Sequence, residues 1–521
     1  AFGPDIDTFF APHTYEVFVP ISDHLEALIN CFSDVRQPLE IGSLRYTETP
    51  TLSAEQPVAV KVDPTDFVGK SYGHRTALFG KTRFGKSNTM KVVADVIAGS
   101  DTGAGQIIFD PSGEYTYWNE QDGGSLFARH QSQCVRYSLS PQRKEREIDL
   151  DFDQPQILRV NFYEQPEVGH NLITELWPTE VGNKPDYIAP ALDWECPALR
   201  DCPKLGDDPS GYKRFWRTMG LWYAILFAAN FTPKSGARAP VDFTAKVKEA
   251  LLTDQDITDV LSIGEKDGKK TLEATQPIQA LPIIFKKVAG LWDEYKSDRR
   301  WFPISTSTGG PYFDVTQASM LKILSGTIGT GAPKFSRFIK YHSANGSNIS
   351  KEIFSHAFKG RTVIIDLALG DENVRRSLVK HICQIILREL MQRFSRNELD
   401  DRFIVLYFEE AHTLFPRDDR TVGDDVYNRI AKEGAKFHLS MVYATQSMST
   451  LSPDLLKNTE NFIVTHLDDD REVKELQHKR AFRDIAADVE RIMSKGYVRM
   501  KTMSTPFALP VQIKKFNGAP D

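Results

Sequence analysis

The sequence predicts an α/β fold in which a mostly parallel sheet is covered by helices on both faces. From about Gly73, short apolar strands alternate with amphipathic helices, which is typical of proteins with parallel sheets. A glycine-rich turn joins the first of these strands to its helix. Apolar strands of the same kind return after residue 360. With 521 residues, the chain is long enough for this sheet and for further domains.

The predicted core strands are short and apolar. In chain order they are Thr76–Phe79, Gln106–Asp110, Gln133–Ser138, Ile157–Tyr163, Thr362–Leu367, Phe403–Phe408, Leu439–Ala444 and Phe462–Leu467. The segment Ser87–Ala98 is an amphipathic helix that follows the first strand directly. Gly496–Phe516 predicts two further short strands with Pro506 between them. These elements make up the predicted α/β core.

The chain divides into four parts. Residues 1–65 contain short β-rich segments broken by Pro, Gly and Asp, which predict a small barrel-like β-domain. Residues 66–168 and 361–521 carry the two parts of the core. Residues 169–360 contain long helical patterns, so we interpret them as a helical insertion. The β-rich segments are Tyr15–Ile21, Ile41–Thr49 and Pro57–Asp63, and the helical patterns are Lys213–Phe231, Phe243–Leu252, Pro277–Ser297 and Val315–Leu324.

The composition excludes several classes of protein. The 64 basic and 70 acidic residues give a net charge of −6, which excludes a histone-like coat on nucleic acid but not a local basic channel. No apolar run approaches the roughly 18 residues of a membrane span. The nearest, Leu221–Phe231, predicts a buried helix, and no membrane partner is expected. Five cysteines in so long a chain do not indicate a disulfide framework and favour the cytoplasm.

The sharpest motif is Gly80–Ser87 (GKTRFGKS), which fits the phosphate-binding loop G-x-x-x-x-G-K-[ST]. It follows a buried strand and opens a helix, which is the context that this chemistry requires. Glycines let backbone N–H groups point at the phosphates, Lys86 supplies a positive charge, and Ser87 offers a hydroxyl to Mg²⁺. The predicted nucleotide-contacting residues of this motif are Gly80, Thr82, Arg83, Phe84, Gly85, Lys86, Ser87 and Asn88.

A second motif is the apolar strand Phe403–Phe408, which ends in the two carboxylates of Glu409 and Glu410. In the Walker B arrangement, one carboxylate at the strand tip acts on Mg²⁺ and the next polarises the attacking water. By position, Glu409 is the predicted metal-side residue and Glu410 the predicted catalytic base. The alternative is that both are solvated charges at a strand end.

Two weaker signals stand at the ends of other core strands. Asp110 ends the strand after the P-loop helix, so it is expected at the carboxyl edge of the sheet, where ligands bind in such folds. Gln446 follows the strand Leu439–Ala444, and its amide can bind the γ-phosphate or the attacking water. Ordinary turn chemistry is the alternative for both residues.

Together these motifs resemble the HerA branch of the HerA/FtsK ATPases. The resemblance covers roughly residues 70–165 and 360–515, with the motifs in the family's order. The N-terminal β-region is similar to the family's small barrel, although this is a much weaker match. The residues that carry the resemblance are Gly80–Ser87, Asp110–Tyr115, Glu409–His412, Ile430–Phe437 and Ala444–Gln446.

The resemblance implies a homo-hexameric ring of RecA-like domains that hydrolyses ATP with Mg²⁺ between subunits and translocates duplex DNA. It also implies an effector partner. This partner is a nuclease in DNA processing, and in antiphage defence it is a nuclease or a sirtuin-like NADase. Carried over by motif, Lys86 and Ser87 bind phosphate and Mg²⁺. Glu410 is then the base, Gln446 the sensor and Asp110 a second acidic group near the site.

The sequence departs from the family at several positions. Glu409 stands where the family has an aspartate, and Arg83–Phe84 stands where small residues are common. An arginine expected to reach the γ-phosphate is absent at Ala435. Lys436 or Arg429 could substitute, although lysine cannot make the planar bidentate contact of arginine. This departure predicts hydrolysis that is slow or dependent on a partner.

Two functions of different class remain open. The first is an ATP-driven translocase or helicase on duplex DNA. The second is a hexameric assembly platform in which ATP sets ring stability; the acidic balance, the missing arginine and the large insertion favour it. Candidate DNA-contacting clusters are Arg143–Arg146 and Lys296–Arg300, although a charge run is more often a solvated face.

Overall fold

The computed structural model describes residues 20, 22–31, 38–45, 57–141, 145–266, 268–304, 309–326, 331–344, 349–368, 372–417, 426–479, 482–483, 485–505 and 507–520. Within these ranges the chain forms one large sheet, two small two-stranded sheets and many helices. The predicted strand Tyr15–Ile21 lies almost entirely outside the described residues, as does most of the basic cluster Arg143–Arg146.

Most strands of the core lie close to their predicted positions. Beyond β6, Val160 forms an isolated bridge with His342 and Asn161 begins a turn, so this strand is shorter than the predicted Ile157–Tyr163. The described strands are β1 (Leu39–Leu44), β2 (Ala59–Val62), β3 (Arg75–Phe79), β4 (Gly105–Asp110), β5 (Cys134–Ser138), β6 (Gln156–Ile157), β7 (Arg238–Pro240), β8 (Ile263–Lys266), β9 (Lys269–Leu272), β10 (Thr275–Pro277), β11 (Thr362–Asp366), β12 (Ile404–Phe408), β13 (Leu439–Thr445), β14 (Asn461–Val464), β15 (Tyr497–Lys501) and β16 (Leu509–Ile513).

The large sheet has 12 strands in the order β2-β1-β16-β15-β14-β3-β13-β12-β4-β11-β5-β6. From β14 to β6 in this order, neighbouring strands are parallel, whereas β15, β16, β1 and β2 pair antiparallel. The predicted α/β fold with a parallel-rich sheet is therefore confirmed. Because the parallel strands point the same way, the residues that follow β3, β4, β12 and β13 share one edge of the sheet.

The separate barrel-like domain predicted for residues 1–65 is not confirmed. β1 pairs with β16, with Gly42 opposite Ile513, and β2 pairs with β1. The described N-terminal strands thus extend the antiparallel side of the large sheet. They cover the edge that β16 would otherwise expose, and an open edge is a liability in a sheet of this kind.

Helices cover both faces of the sheet, as the alternating pattern predicted. The α-helices are α1 (Ser22–Ile29), α2 (Thr65–Val68), α3 (Lys86–Ala98), α4 (Leu126–Arg129), α5 (Glu145–Asp149), α6 (Pro166–Glu180), α7 (Ala189–Leu192), α8 (Pro209–Ala228), α9 (Ala245–Thr253), α10 (Gln255–Thr258), α11 (Leu281–Tyr295), α12 (Val315–Ser325), α13 (Ile349–Phe358), α14 (Glu372–Ser395), α15 (Val426–Glu433), α16 (Pro453–Lys457), α17 (Asp470–Gln477) and α18 (Ala486–Arg491). Short 3₁₀ helices span Leu199–Asp201, Ile278–Ala280, Ala332–Tyr341, Ala411–Thr413 and Gly434–Phe437.

Alternate residues of the core strands point to opposite faces, which divides the apolar core into two clusters. On one face, Phe109 and Phe408 stack with their ring centroids 5.5 Å apart, in the cluster that includes α14 and the helices after β6. On the other face, Ile108 and Tyr407 pack in the cluster that includes α3. The sheet is therefore buried on both sides, which explains why its strands are apolar throughout.

Between β6 and β11 the chain is mostly helical. Two small antiparallel sheets, formed by β7 with β10 and by β8 with β9, interrupt the helices and were not predicted. α8, α11 and α12 pack against one another and continue the apolar core of one sheet face. The boundaries of this insertion, 169–360, remain a prediction. In the described part of the chain, no helix has both the length and the apolar character needed to cross a bilayer.

Candidate active site

β3 leads directly into the predicted phosphate-binding loop, and α3 begins at its end. Gly80 has a φ of +144°, and a Cβ at this position would lie 1.7 Å from Oγ1 of Thr465. The N–H of Gly80 donates to the carbonyl of Thr445 at 3.3 Å, and the N–H of Lys81 donates to the carbonyl of His466 at 2.9 Å. The start of the loop is therefore fixed to the ends of β13 and β14.

We expect Gly80→Ala to lower the free energy of unfolding by about 2 kcal/mol or more, because the methyl group clashes with Thr465 and the backbone is strained. Urea unfolding measures this change. Gly290→Ala is the matched control, since Gly290 lies exposed in α11 with open space at its Cβ and should be neutral or slightly stabilising. Equal stability of the two variants would contradict this account of the loop.

Lys86 is buried at the start of α3, with 9% of its surface exposed. Its Nζ donates a hydrogen bond to the carbonyl of Gly80, so the side chain curls back over the loop. Burial lowers the pKa of Lys86, and the carboxylates of Glu410 and Glu409 partly offset this effect. The predicted phosphate-binding lysine therefore lies in the electrostatic field of the two predicted Walker B residues.

The tip of the loop is open to solvent. Thr82 and Arg83 are exposed, and Arg83 adopts a left-handed backbone with a φ of +72°. The ring of Phe84 packs against His466 with centroids 4.6 Å apart, so this departure from the family pattern serves to hold the loop against the end of β14. Ser87 is half-buried on the first turn of α3.

Asn88 does not fit its predicted role in nucleotide contact. Its Nδ2 donates to the carbonyl of Lys514 at 3.0 Å, and its Oδ1 accepts from the N–H of Phe516 at 2.9 Å. Both ends of the amide are therefore committed to the segment after β16. The physical role of Asn88 is to attach this C-terminal segment to the P-loop helix.

Glu409 follows β12 and lies in a largely buried position. The hydroxyl of Tyr115 donates to its Oε1 at 3.2 Å. Burial, followed by the nearby charge of Asp110, raises the pKa of Glu409 to about 7. A carboxyl group with this pKa is partly protonated near neutral pH, and a nearby cation would favour its ionised form. This behaviour is consistent with the predicted metal-side role.

We expect the free energy of unfolding to fall as the pH rises from about 4.5 to about 7, and Glu409→Gln to reduce this slope. The raised pKa means that the folded protein binds the proton more tightly than the unfolded chain. The stabilisation by protonated Glu409 is therefore complete below the ordinary pKa of 4.5. It is lost as the pH rises through about 7, which is the pKa in the folded protein. Urea unfolding in EDTA across this range measures it, and identical slopes in both proteins would contradict it.

Glu410 adopts a left-handed backbone, with a φ of +50°, at the sharp turn after Glu409. Its Oε1 accepts a hydrogen bond from Nε2 of Gln446 at 3.2 Å, and its Oε2 lies 3.4 Å from Nδ1 of His412. Its side chain is 45% exposed. The structure thus brings the predicted base and the predicted sensor into contact at the carboxyl edge of the sheet, and it adds His412, which the sequence analysis did not single out.

Asp110 remains a predicted acidic group near the nucleotide, and the structure shows what its carboxylate contacts. Asp110 is fully buried, and its two carboxylate oxygens accept hydrogen bonds from the turn that follows β4. The donors are the backbone N–H groups of Ser112, Gly113, Glu114, Tyr115 and Thr116 and the hydroxyls of Ser112 and Thr116. The carboxylate therefore organises the turn, which was the alternative left open for this residue.

This turn contains two functional candidates that sequence reasoning missed. Tyr115 is fully buried and reaches Glu409 with its hydroxyl, as described above. Glu114 pairs with the buried Nζ of Lys91 on α3 at 2.5 Å, and Asp122 pairs with the same atom at 2.7 Å. The turn is thus a bridge between the P-loop helix and the end of β12. The order of residues from Asp110 to Tyr115 was the available signal.

The residues considered as substitutes for the missing arginine are engaged in packing. Nζ of Lys436 lies over the rings of Phe394 and Phe437, at 5.1 Å and 5.9 Å from their centroids. Nη2 of Arg429 donates to Sδ of Met391 at 3.3 Å. Both cations therefore make contacts within this chain, although Lys436 is exposed.

The loop and the carboxylates fit a nucleoside triphosphate with Mg²⁺. The backbone around Gly80 leaves no room for a Cβ, and Oε2 of Glu410, which lies 3.4 Å from Nδ1 of His412, accepts no hydrogen bond from the described residues. No group of three or more His, Cys, Asp or Glu side chains in the described ranges is arranged to hold a metal. Mg²⁺ suits such a site, because it is usually bound by one or two protein oxygens together with phosphates and water.

Residues 39–161 match the family described as "Helicase HerA, central domain". The chain carries a HerA-type central domain. The match begins at β1 and includes the phosphate-binding loop and the turn at Asp110. The HerA-type domain thus includes the N-terminal strands that were only weakly similar by sequence, and Glu409, Glu410 and Gln446 follow beyond the matched range.

Two curated proteins show similarity to part of this chain. The DNA double-strand break repair helicase HerA of Sulfurisphaera tokodaii is 28% identical over 106 residues, which is 20% of this chain and 21% of that protein. The probable helicase MJ1565 of Methanocaldococcus jannaschii is 26% identical over 159 residues, or 30% of this chain and 31% of that protein. The matched segments therefore span less than a third of either relative.

Two solved structures align with most of this chain at low TM-scores. The bacterial conjugative coupling protein TrwB aligns with 94% of this chain and 97% of its own, at a TM-score of 0.39 and 13% identity. VirB4 of Thermoanaerobacter pseudethanolicus aligns with 92% of this chain and 97% of its own, at a TM-score of 0.36 and 13% identity. Likenesses of this strength carry no information on function.

Proposed function

We propose that this chain is an ATP-hydrolysing motor that acts on duplex DNA as a homo-hexamer. The observation that carries the proposal is the hydrogen bond between Glu410 and Gln446 at the carboxyl edge of the parallel sheet, with Lys86 close enough for the charges of Glu410 and Glu409 to act on it. A phosphate-binding loop by itself occurs in enzymes that catalyse many different reactions. When a carboxylate base hydrogen-bonded to an amide lies near the loop, the arrangement is suited to the attack of water on a γ-phosphate.

The residues divide the reaction between them. The loop from Gly80 to Ser87 holds the β- and γ-phosphates, and Lys86 leaves its internal hydrogen bond to pair with them. Ser87 and Glu409 would hold Mg²⁺, which would supply positive charge to the phosphate oxygens. Glu410 accepts a proton from the attacking water, and the amide of Gln446 holds the carboxylate and the water in line.

The relatives support the proposed substrate, and the family resemblance supports the proposed assembly. HerA of Sulfurisphaera tokodaii is a DNA double-strand break repair helicase, and duplex DNA is the corresponding substrate here. A ring of six copies, with a nuclease-class effector in DNA processing or antiphage defence, follows from the family resemblance. The HerA-type central domain is the part of this chain that supports these assignments.

A second function is favoured by the missing arginine at Ala435. Lys436 and Arg429 are packed within their own subunit, so neither is poised to reach a neighbour's γ-phosphate. Hydrolysis would then be slow, and the ring would serve as an ATP-regulated scaffold that assembles and activates a nuclease or sirtuin-like effector.

Steady-state hydrolysis of ATP with and without linear duplex DNA separates the two functions. The motor predicts hydrolysis that DNA stimulates several-fold, with Lys86→Ala inactive in both conditions. The scaffold predicts weak hydrolysis that DNA does not change, together with a stable complex between the ring and its effector. Absence of hydrolysis and of ATP binding in the wild-type protein would refute both.

A further inference from the structure

A second charged cavity lies in the helical region, and none of its lining residues belongs to the phosphate loop. It has a volume of about 370 Å³ and opens between the first turns of α8 and the segments around Asp242, Ile304 and Tyr312. We call it the α8 pocket. A cavity of this size holds a ligand of about the size of a mononucleotide.

The wall of the α8 pocket formed by α8 is strongly basic. Lys213, Arg214 and Arg217 line it, and their spacing of three and four residues places them on one face of the helix. Asp242 is the acidic residue among the described lining residues, and it is already shared by Nζ of Lys213 at 3.2 Å and Nζ of Lys248 at 3.5 Å. The pocket therefore keeps an excess of positive charge.

Arg217 is held in a fixed orientation at this wall. Its guanidinium carbon lies 3.8 Å from the centroid of the Tyr312 ring, and its Nη1 donates to the carbonyl of Tyr312 at 2.8 Å. Its Nε is buried and has no hydrogen-bond partner among the described residues. The contacts with Tyr312 orient the guanidinium without neutralising its charge, so that charge is available to an anion in the pocket.

Apolar side chains form another part of the lining. They come from Phe243, Ile304 and Tyr312, and Ser210 and Thr244 add hydroxyl groups. Ile304 is 44% exposed. The basic segment Lys296–Arg300 lies just before this wall in the chain. An oriented guanidinium is suited to phosphate, and an apolar wall beside it is suited to a sugar or base.

We propose that the α8 pocket binds the phosphoryl group of a nucleotide, presented by a nucleic-acid strand or by a free mononucleotide. Arg217 holds the phosphoryl oxygens through its fixed guanidinium. Arg214 and Lys213 add charge at the rim, and the wall at Ile304 and Tyr312 contacts the sugar or base. This site is separate from the phosphate loop and does not depend on hydrolysis there.

The test uses the full chain with Lys86→Ala, which removes binding at the phosphate loop. AMP binding is measured by calorimetry, and binding of a fluorescein-labelled oligonucleotide is measured by anisotropy at about 0.1 M salt. We expect at least one probe to bind and Arg217→Gln to weaken that binding about tenfold or more. Arg238→Gln is the matched control, because Arg238 is an exposed arginine of the same helical region that pairs with Glu273.

Each outcome decides the proposal. AMP binding that Arg217→Gln abolishes identifies a free-nucleotide site, and binding of the oligonucleotide alone identifies a nucleic-acid contact. Neither probe binding, or equal binding in Arg217→Gln and Arg238→Gln, overturns the proposal. Should Arg217→Gln fail to fold, Arg214→Gln decides in the same way, because Arg214 is exposed and its replacement leaves the packing on Tyr312 intact.

Discussion

Glu410→Gln is expected to lower kcat for ATP hydrolysis by about 100-fold or more and to leave ATP affinity unchanged, because general bases contribute on this scale. The glutamine keeps the size of the side chain but cannot accept the proton of the attacking water. Lys86 and the loop, which hold the phosphates, are untouched. Phosphate release measures kcat, and titration with a fluorescent ATP analogue measures affinity.

The control for this variant is Glu398→Gln, since Glu398 is an exposed carboxylate after α14 and away from the β12 edge. Gln446→Ala should give a smaller loss, about tenfold, because the amide orients the base and does not carry the proton. Hydrolysis at the wild-type rate in Glu410→Gln would show that another group is the base and would remove the assignment of Glu410.

Asp110→Asn is expected to lower the free energy of unfolding by about 3 kcal/mol or more. Every hydrogen bond that Asp110 accepts at the turn comes from an N–H or a hydroxyl, and the NH₂ of asparagine would face these donors without an acceptor. The variant would thus leave buried N–H groups unpaired. Urea or thermal unfolding measures this loss.

Asp101→Asn is the matched control, because Asp101 is an exposed aspartate after α3 and its replacement should change stability by about 0.5 kcal/mol or less. The molecules of Asp110→Asn that remain folded at low temperature should still bind ATP. If Asp110→Asn kept its stability and lost ATP binding, Asp110 would be a nucleotide contact after all, as the family motif implied.

The local parts of the site were predictable from the sequence because short motifs supply the residues that their chemistry requires. The loop from Gly80 to Ser87 needs glycine, lysine and serine at fixed spacing, and the strand before Glu409 is apolar throughout. Strands and motifs of this kind depend on neighbours in the chain. The α/β fold and the positions of Glu410 and Gln446 after core strands therefore followed from pattern alone, whereas their hydrogen bond did not.

The features that the sequence did not predict depend on contacts between residues far apart in the chain. β1 and β16 are joined across almost the whole chain, with Gly42 opposite Ile513, and no local pattern distinguishes this edge from a separate barrel. Tyr115 and Glu409 meet across 294 residues. A motif also cannot show whether a carboxylate faces a ligand or its own backbone, so the contacts of Asp110 with its turn were not predictable.

The most direct test of the central claim is displacement of a third strand from linear duplex DNA that carries a triplex. A motor that moves along duplex DNA strips the triplex-forming strand in an ATP-dependent reaction, and a static ring does not. We predict displacement by the wild-type protein with ATP, and none by Glu410→Gln or with a non-hydrolysable analogue. Robust ATP hydrolysis without any displacement would contradict translocation on duplex DNA.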